Sequence, residues 1–352
     1  MDYPKEGRRI LIRAFYVVIL RYLKSCSLRR KFRKLLCNLF IDIPSVNGTI
    51  KNEKQNSENL LKMYDEATKE LKALFFNTYI RRCMLENRNK IPNIYYPYFE
   101  NVMNNGVSFM CGQINYVNKY QIKDIQIDEN DGYRYVIYNG KRLYMRNDVS
   151  NDTILKIVND LITEQQEKSP HRYLTDEFNV CEGDVVFDVG CAEGNFSLTV
   201  SDVAQEIHMF EYDEKWIEAL QRTFGRLSVE SHITKGYISN VTSRNKTSLT
   251  IDDYCIQNKI DKIDMLKVDV EGAELELLEG ANNMLNEHRI GNICIATYHK
   301  LDDFEKIKEI LEDREYDVTN SEGYLLFSHI SERIEDIRPP FFVKGLIRAR
   351  IK

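Results

Sequence analysis

The stretch Val185–Phe196, V-V-F-D-V-G-C-A-E-G-N-F, constrains this chain more than any other. Val185, Val186, Phe187 and Val189 form a short, β-branched apolar run of the kind found in a strand buried on both faces. Gly190 and Gly194 bracket a tight turn, and Ser197–Val203 reads as the start of a helix. Strand, glycine turn and helix together bring backbone N–H groups close to a nucleotide-like ligand. The G-x-G-x-x-G fingerprint of dinucleotide sites is absent, since only two glycines are present.

From Val180 the chain alternates strand and helix, the pattern of a parallel sheet with crossover helices. Strands are expected at Ile207–Phe210, His232–Ile238, Ile263–Val270 and Asn292–Tyr298, with helices over Glu214–Phe224, Gly272–His288 and Asp302–Arg314. Tyr316–Thr319 and Tyr324–Ser328 read as a closing hairpin. Upstream, Asn139-Gly140 joins Tyr133–Tyr138 to Lys141–Arg146, a hairpin signal because a type I′ turn needs positive φ at both positions. Ile122–Ile127 adds a third strand, and Ile154, Ile157, Val158, Leu161 and Ile162 mark a helix running to Lys168. Ser57–Asn87 has the spacing of an amphipathic core helix, and Asn47–Asn56 that of a linker. Tyr95, Tyr96 and Tyr98 suit either a sugar face or packing around the neighbouring prolines.

Charge is unevenly placed. The net charge is −5, yet Arg8–Leu36 holds ten Lys/Arg and no acid, and 338–352 holds five more. The acidic body argues against nucleic-acid binding, which needs a basic footprint. The apolar run Ile10–Leu20 is broken by Arg13 and falls short of the roughly 20 residues that span a bilayer. Two places remain open for the 8–36 helix: the surface of an anionic membrane, or the protein's own acidic body. The eight cysteines are scattered, without zinc spacing, as free thiols in a reducing cytosol would be. The expected partition is a basic helical segment at 1–46, an α+β region at 57–168, an α/β domain at 169–337 and a basic tail at 338–352.

Ligands in open α/β sheets sit at the carboxyl ends of the strands. Three of those ends carry acids here: Asp188, Glu211 and Asp269. Glu211 lies 23 residues beyond Asp188, near the about 20-residue interval at which an acid meets ribose hydroxyls.

The segment I-D-M-L-K-V-D-V-E-G-A-E-L-E-L-L-E-G-A at 263–281 resembles the hallmark of FkbM-type methyltransferases. D-V-G-C-A-E-G-N-F, H-M-F-E-Y-D-E-K-W, T-I-D-D-Y at 250–254 and I-A-T-Y-H at 295–299 fit as well. I-A-T-Y-H and S-P-H-R-Y at 169–173 are closest to a subgroup found among bacterial surface-glycan proteins. The resemblance covers about 165–350. It implies a Rossmann-like class I methyltransferase sheet that binds S-adenosylmethionine through Asp188, Gly190, Cys191, Glu193, Gly194, Asn195 and Phe196. Glu211 would take the ribose, Tyr212 and Ser239 the adenine edge, and Asp269 the floor.

No Asn-Pro-Pro-Tyr motif follows the fourth strand, which favours a hydroxyl acceptor over an amine. A sugar hydroxyl needs a general base or a metal to become a nucleophile. His299 is the expected base, with a strand-end histidine bonded to nearby backbone as the alternative reading. Asp269 and Glu271 would orient the acceptor or share a divalent metal, for which no complete ligand set is legible. Ser169, His171, Arg172 and Tyr173 fall where an acceptor contact or a helix cap would be. The implied activity is O-methylation of a saccharide or glycolipid in surface polysaccharide synthesis, in the cytoplasm or on the inner face of the cell membrane. A non-catalytic glycan-assembly factor and an enzyme for a polyketide or lipid hydroxyl are the alternatives.

Overall fold

The structure is a computed structural model that describes residues 77–111, 114–245, 247–327 and 339–352. The chain divides into two units, Met1–Lys72 and Ala73–Lys352, and the described residues belong to the second. The basic segment at 8–36, the linker at 47–56 and most of the helix expected over 57–87 lie outside the described residues. The last part of that helix, 77–86, is helical.

Seven strands build the central sheet: β1 (Val185–Val189), β2 (Glu206–Glu211), β3 (Glu230–Lys235), β4 (Ile263–Val268), β5 (Ile290–Ala296), β6 (Tyr316–Asn320) and β7 (Leu346–Ile351). Their order is β3-β2-β1-β4-β5-β7-β6. Strands β1 to β5 run parallel, and β7 is antiparallel to both β5 and β6. This is the class I sheet that the sequence resemblance implies, with its switch point between β1 and β4. Alternate residues feed two cores: Val186, Ile207, Met209 and Met265 on one face, Phe187, Phe210, Leu266 and Val268 on the other. Burial on both faces is why these strands read as continuous apolar runs.

The expected closing hairpin does not form. Tyr324–Leu326 leaves the sheet to pair with Met110–Cys111 and Phe342–Val343. The antiparallel strand is instead Leu346–Ile351, inside the stretch read as a basic tail. Its Leu346, Ile347 and Ala349 are buried, while Arg348 donates to the carbonyls of Tyr173 and Arg172. A cationic side chain whose N–H groups meet backbone carbonyls can sit within a sheet, so charge alone misplaced this segment.

The boundary expected at 168 is also crossed. Arg134–Tyr138 and Lys141–Tyr144 pair about Asn139-Gly140, both at positive φ, and Gln126–Ile127 adds the third strand. That small sheet docks on the helix Glu214–Phe224, where the Tyr144 N–H donates to Thr223 Oγ1 at 3.0 Å and Arg146 pairs with Asp213 at 2.8 Å. Tyr95 and Tyr98 stack edge-on against Tyr324, with centroids 4.7 and 5.0 Å apart, which is packing. The helix Asn151–Glu164, capped by Ser150, buries Ile154, Val158 and Leu161. It ends one turn before the expected Lys168, and its last turn faces the sheet's carboxyl end.

Candidate cofactor and acceptor site

At the end of β1, Gly190 takes a φ of +73°, and its N–H donates to the Phe210 carbonyl at 3.1 Å. A Cβ there would stand 1.8 Å from the Asp269 carbonyl oxygen, so the β1 turn and the β4 end pass too closely for any side chain. Gly194, at φ +80°, starts the helix Asn195–Val200 against Leu220 and Phe224. Both glycines therefore shape the turn, and Gly194 does so from behind it.

Asp188, expected at the cofactor, is buried behind this turn and does not line the cavity. It pairs with Lys267 Nζ at 3.0 Å and accepts from Ser197 Oγ at 2.7 Å. Lys267 also donates to the Gly190 carbonyl at 2.6 Å. Burial opposes the lysine's charge, but Asp188 and Asp269 more than offset it and hold Lys267 above its usual range. An apolar strand end leaves Asp188 no water, so its partner comes from the adjacent strand β4.

Glu211 closes the turn from β2. Its carboxylate accepts from the N–H groups of Ala192 (2.9 Å), Tyr212 (2.8 Å) and Asp213 (2.8 Å). Tyr212 and Tyr237 meet edge-on at 5.6 Å, and Gly236, Tyr237 and Ile238 form the rim beyond β3. Ser239 does not reach the cavity. Its carbonyl is pressed against Gly280, where a Cβ would stand 2.1 Å away. That contact also coincides with the break of the expected 272–288 helix into Glu274–Gly280 and Asn282–Asn286.

The floor is Asp269. It accepts from Tyr173 Oη at 2.9 Å and Tyr298 Oη at 3.2 Å, and His171 Nε2 lies 3.3 Å away. Burial opposes its charge, yet the His171 hydrogen bond and the charges of His171 and Lys267 hold it well below the usual carboxylate range. His171 stands between Asp269 and Glu164, whose carboxylate is 3.6 Å from Nδ1. Burial disfavours the imidazolium, but these two acids prevail and raise its pKa above the ordinary value.

His299, the expected base, is not among the cavity-lining residues. Its Nδ1 is 2.7 Å from buried Glu274, and Nε2 is 3.6 Å from Asp269. It braces the floor from below, and His171 faces the cavity in its place. Asp269, Glu274 and His299 have donor atoms within 4.8 Å of one another. The two acids nevertheless approach opposite nitrogens of one ring, so they do not converge on one ion. Of the remaining expected residues, Glu271, Cys191, Glu193 and Asn195 line the cavity, as do His171 and Tyr173. Phe196 lies beneath, edge-on to Tyr173 at 5.8 Å. Ser169 accepts from the His171 N–H at 3.1 Å, and Arg172 offers its carbonyl to Arg348. Those two residues hold the segment and do not meet the cavity.

The cavity has a volume of about 610 Å³, within the roughly 300–1,000 Å³ of small-molecule sites. Sequence reasoning missed Asp160, Glu164, Phe109 and Trp216, all of which line it. Asp160 and Glu164 sit at helical spacing on an otherwise amphipathic helix, and nothing in the pattern says that their side faces a ligand. Among the described residues the lining holds seven carboxylates, from Asp160, Glu164, Glu193, Glu211, Asp213, Asp269 and Glu271, against Lys267 and His171, with no arginine. Such a surface favours a cation over an anion. Burial pushes the Glu193 carboxyl up to about 7.

Residues 160–318 match the family model described as the methyltransferase FkbM domain. A curated relative, methyltransferase sdnD of Sordaria araneosa, is 37% identical over 82 residues, 22% of this chain and 30% of that protein. The chain thus spans less than a third of the length of the curated relative it matches. Among solved structures, a TehB-like SAM-dependent methyltransferase from Corynebacterium glutamicum shares 16% identity at a TM-score of 0.33, covering 57% of this chain and 97% of that one. Magnesium protoporphyrin IX methyltransferase from Synechocystis shares 15% at a TM-score of 0.31, covering 57% and 79%. These likenesses are slight, and the strand order itself carries the fold class. It is to the methyltransferase FkbM domain that residues 160–318 of this chain are similar.

Proposed function

We propose that the protein is an S-adenosylmethionine-dependent O-methyltransferase whose acceptor is a saccharide hydroxyl. The observation that carries this reading is the acidic cavity at the sheet's switch point, whose described lining holds no arginine, with the Glu211 carboxylate at one end and the His171–Asp269–Tyr298 cluster at the other. When bound, the cofactor supplies an electrophilic methyl group on a sulfonium. The residues present fit such a group. Carboxylates offset its positive charge, Glu211 Oε2 keeps one acceptor site for a hydroxyl of a vicinal diol, and Phe210, Tyr237 and Ile238 give an apolar rim for a base.

His171 is the proposed proton acceptor. Its Nε2 is 2.9 Å from Tyr298 Oη, and Asp269 stabilises the charge that forms on the ring, as a general base requires. Asp160 and Glu164 offer acceptors for neighbouring hydroxyls, while Phe109, Trp216 and Tyr298 offer faces for sugar C–H groups. A phosphorylated or carboxylated reacting end is disfavoured by the same acids. The likeness of 169–173 and 295–299 to a surface-glycan subgroup supports a glycan acceptor, and a cytoplasmic or membrane-inner-face site of glycan assembly belongs to the same proposal.

Two measurements test this. Calorimetry with S-adenosylhomocysteine should show one binding site, and failure to bind overturns the proposal. Mass spectrometry of glycans and glycolipids from cells carrying wild-type or His171→Ala protein should reveal one methyl lost in the variant. Unchanged glycans together with a methyl missing from a lipid or polyketide would leave the cofactor assignment standing and move the acceptor. A wild-type protein that binds the cofactor and methylates nothing would instead fit a glycan-assembly factor.

A further inference from the structure

Strands β2 and β3 run parallel in a register that sets Glu206 beside Glu230 and His208 beside His232. Residues two apart on a strand share a face, so this register gathers two carboxylates and two imidazoles into one two-by-two array. Glu206 Oε1 lies 2.8 Å from His232 Nε2 and 3.0 Å from His208 Nε2, and Glu230 Oε1 lies 3.5 Å from His232 Nε2. The two imidazoles stack at 4.8 Å with 16° between their planes. The array sits at the start of β2. Glu211, on the cofactor cavity, is five residues further along, about 17 Å at the usual strand rise.

We propose that Glu206, His208 and His232 bind one Zn²⁺ ion, with Glu230 or a water as the fourth ligand. Two imidazole nitrogens and a carboxylate form a donor set that zinc takes, at about 2.0–2.2 Å per bond. A tetrahedron of that size separates its ligand atoms by about 3.3 Å, so Glu206 moves only a few tenths of an ångström from each Nε2, while the stacked rings turn toward each other for their lone pairs to meet at the ion. Both Nε2 atoms are buried, and neither has a well-angled hydrogen-bond partner. His208 Nδ1 is 2.9 Å from Tyr254 Oη. In the tautomer that donates Nδ1–H to that hydroxyl, Nε2 turns its lone pair toward an anionic oxygen. Two such groups 3.0 Å apart repel unless a cation lies between them. Tyr254 then does what partners of zinc-bound histidines do, fixing the ring and its tautomer. The site would tie the outer strand β3 to β2, and it takes no part in the proposed methyl transfer.

Full-length protein stripped with a chelator and titrated with Zn²⁺ alone should bind one equivalent by calorimetry. Co²⁺ in its place should give the intense visible absorption of a tetrahedral site. His232→Ala, on the exposed side of the array, should weaken zinc by at least about 100-fold with an unchanged far-ultraviolet spectrum. Tyr254→Phe should weaken it by about 10- to 100-fold. If His232→Ala fails to fold, Glu206→Gln, which keeps shape and hydrogen bonding, should give the same loss. The proposal is overturned if the wild type takes up no zinc, or if these variants bind it as tightly as wild type does. It is equally overturned if binding disappears in His299→Ala instead, which would place the ion at the Asp269–Glu274–His299 cluster.

Discussion

Replacing Asp188 with alanine should unfold this protein more readily whether or not a cofactor is present. Asp188 and Lys267 are both buried and lie 3.0 Å apart. Removing one member of such a pair strands the other, at a cost of about 3–5 kcal/mol. Lys267 would keep the Gly190 carbonyl at 2.6 Å, the Tyr173 ring at 5.3 Å and the more distant charge of Asp269, but lose its carboxylate partner, and Ser197 Oγ would lose its acceptor. In a unit of this size that lowers the melting temperature on the order of 10 °C. The assay is denaturant unfolding of the cofactor-free protein, wild type against Asp188→Ala. The double variant Asp188→Leu/Lys267→Met should recover much of the loss, because an apolar pair of similar volume does not need the charges. Unfolding of Asp188→Ala at the wild-type midpoint, with only cofactor affinity reduced, would refute the reasoning and return Asp188 to direct cofactor contact.

Three further outcomes are expected. Glu193 titrates near 7 and faces the cavity, so its charged form grows as pH rises through that value. Calorimetry should show the sulfonium cofactor binding more tightly at pH 8 than at pH 6, with a smaller change for uncharged-sulfur S-adenosylhomocysteine. His171 loses its proton only above the ordinary histidine range, so methyl transfer should rise with pH through a midpoint higher than about 6.5. Glu164→Gln, which removes one of the acids holding the imidazolium, should lower that midpoint in a pH–rate profile. Deleting 346–352 should leave β5 and β6 without the strand between them, and the product should be insoluble or fail to give a cooperative melt. A soluble, cooperatively melting truncation would show that these residues are a tail after all.

What the sequence determined by itself is what local rules fix. Buried parallel strands must be apolar throughout, a type I′ turn asks for Asn-Gly, and a helix such as Glu214–Phe224 declares its face at 3.6-residue spacing. So the alternating sheet, the 139–140 hairpin and the strand-end acids Glu211 and Asp269 are legible in the residue pattern alone. Tertiary structure decided the rest. It chose Leu346–Ile351 over Tyr324–Ser328 as the antiparallel strand, because strand pairing depends on which carbonyls and apolar neighbours a segment meets. It turned Asp188 inward to Lys267 and seated His299 beneath the floor, leaving His171 to face the cavity. It also laid Asp160 and Glu164 along the wall and set Glu206, His208 and His232 side by side. Each of these is a matter of which side chains share a space, and sequence spacing sets only which residues share a face of their own element.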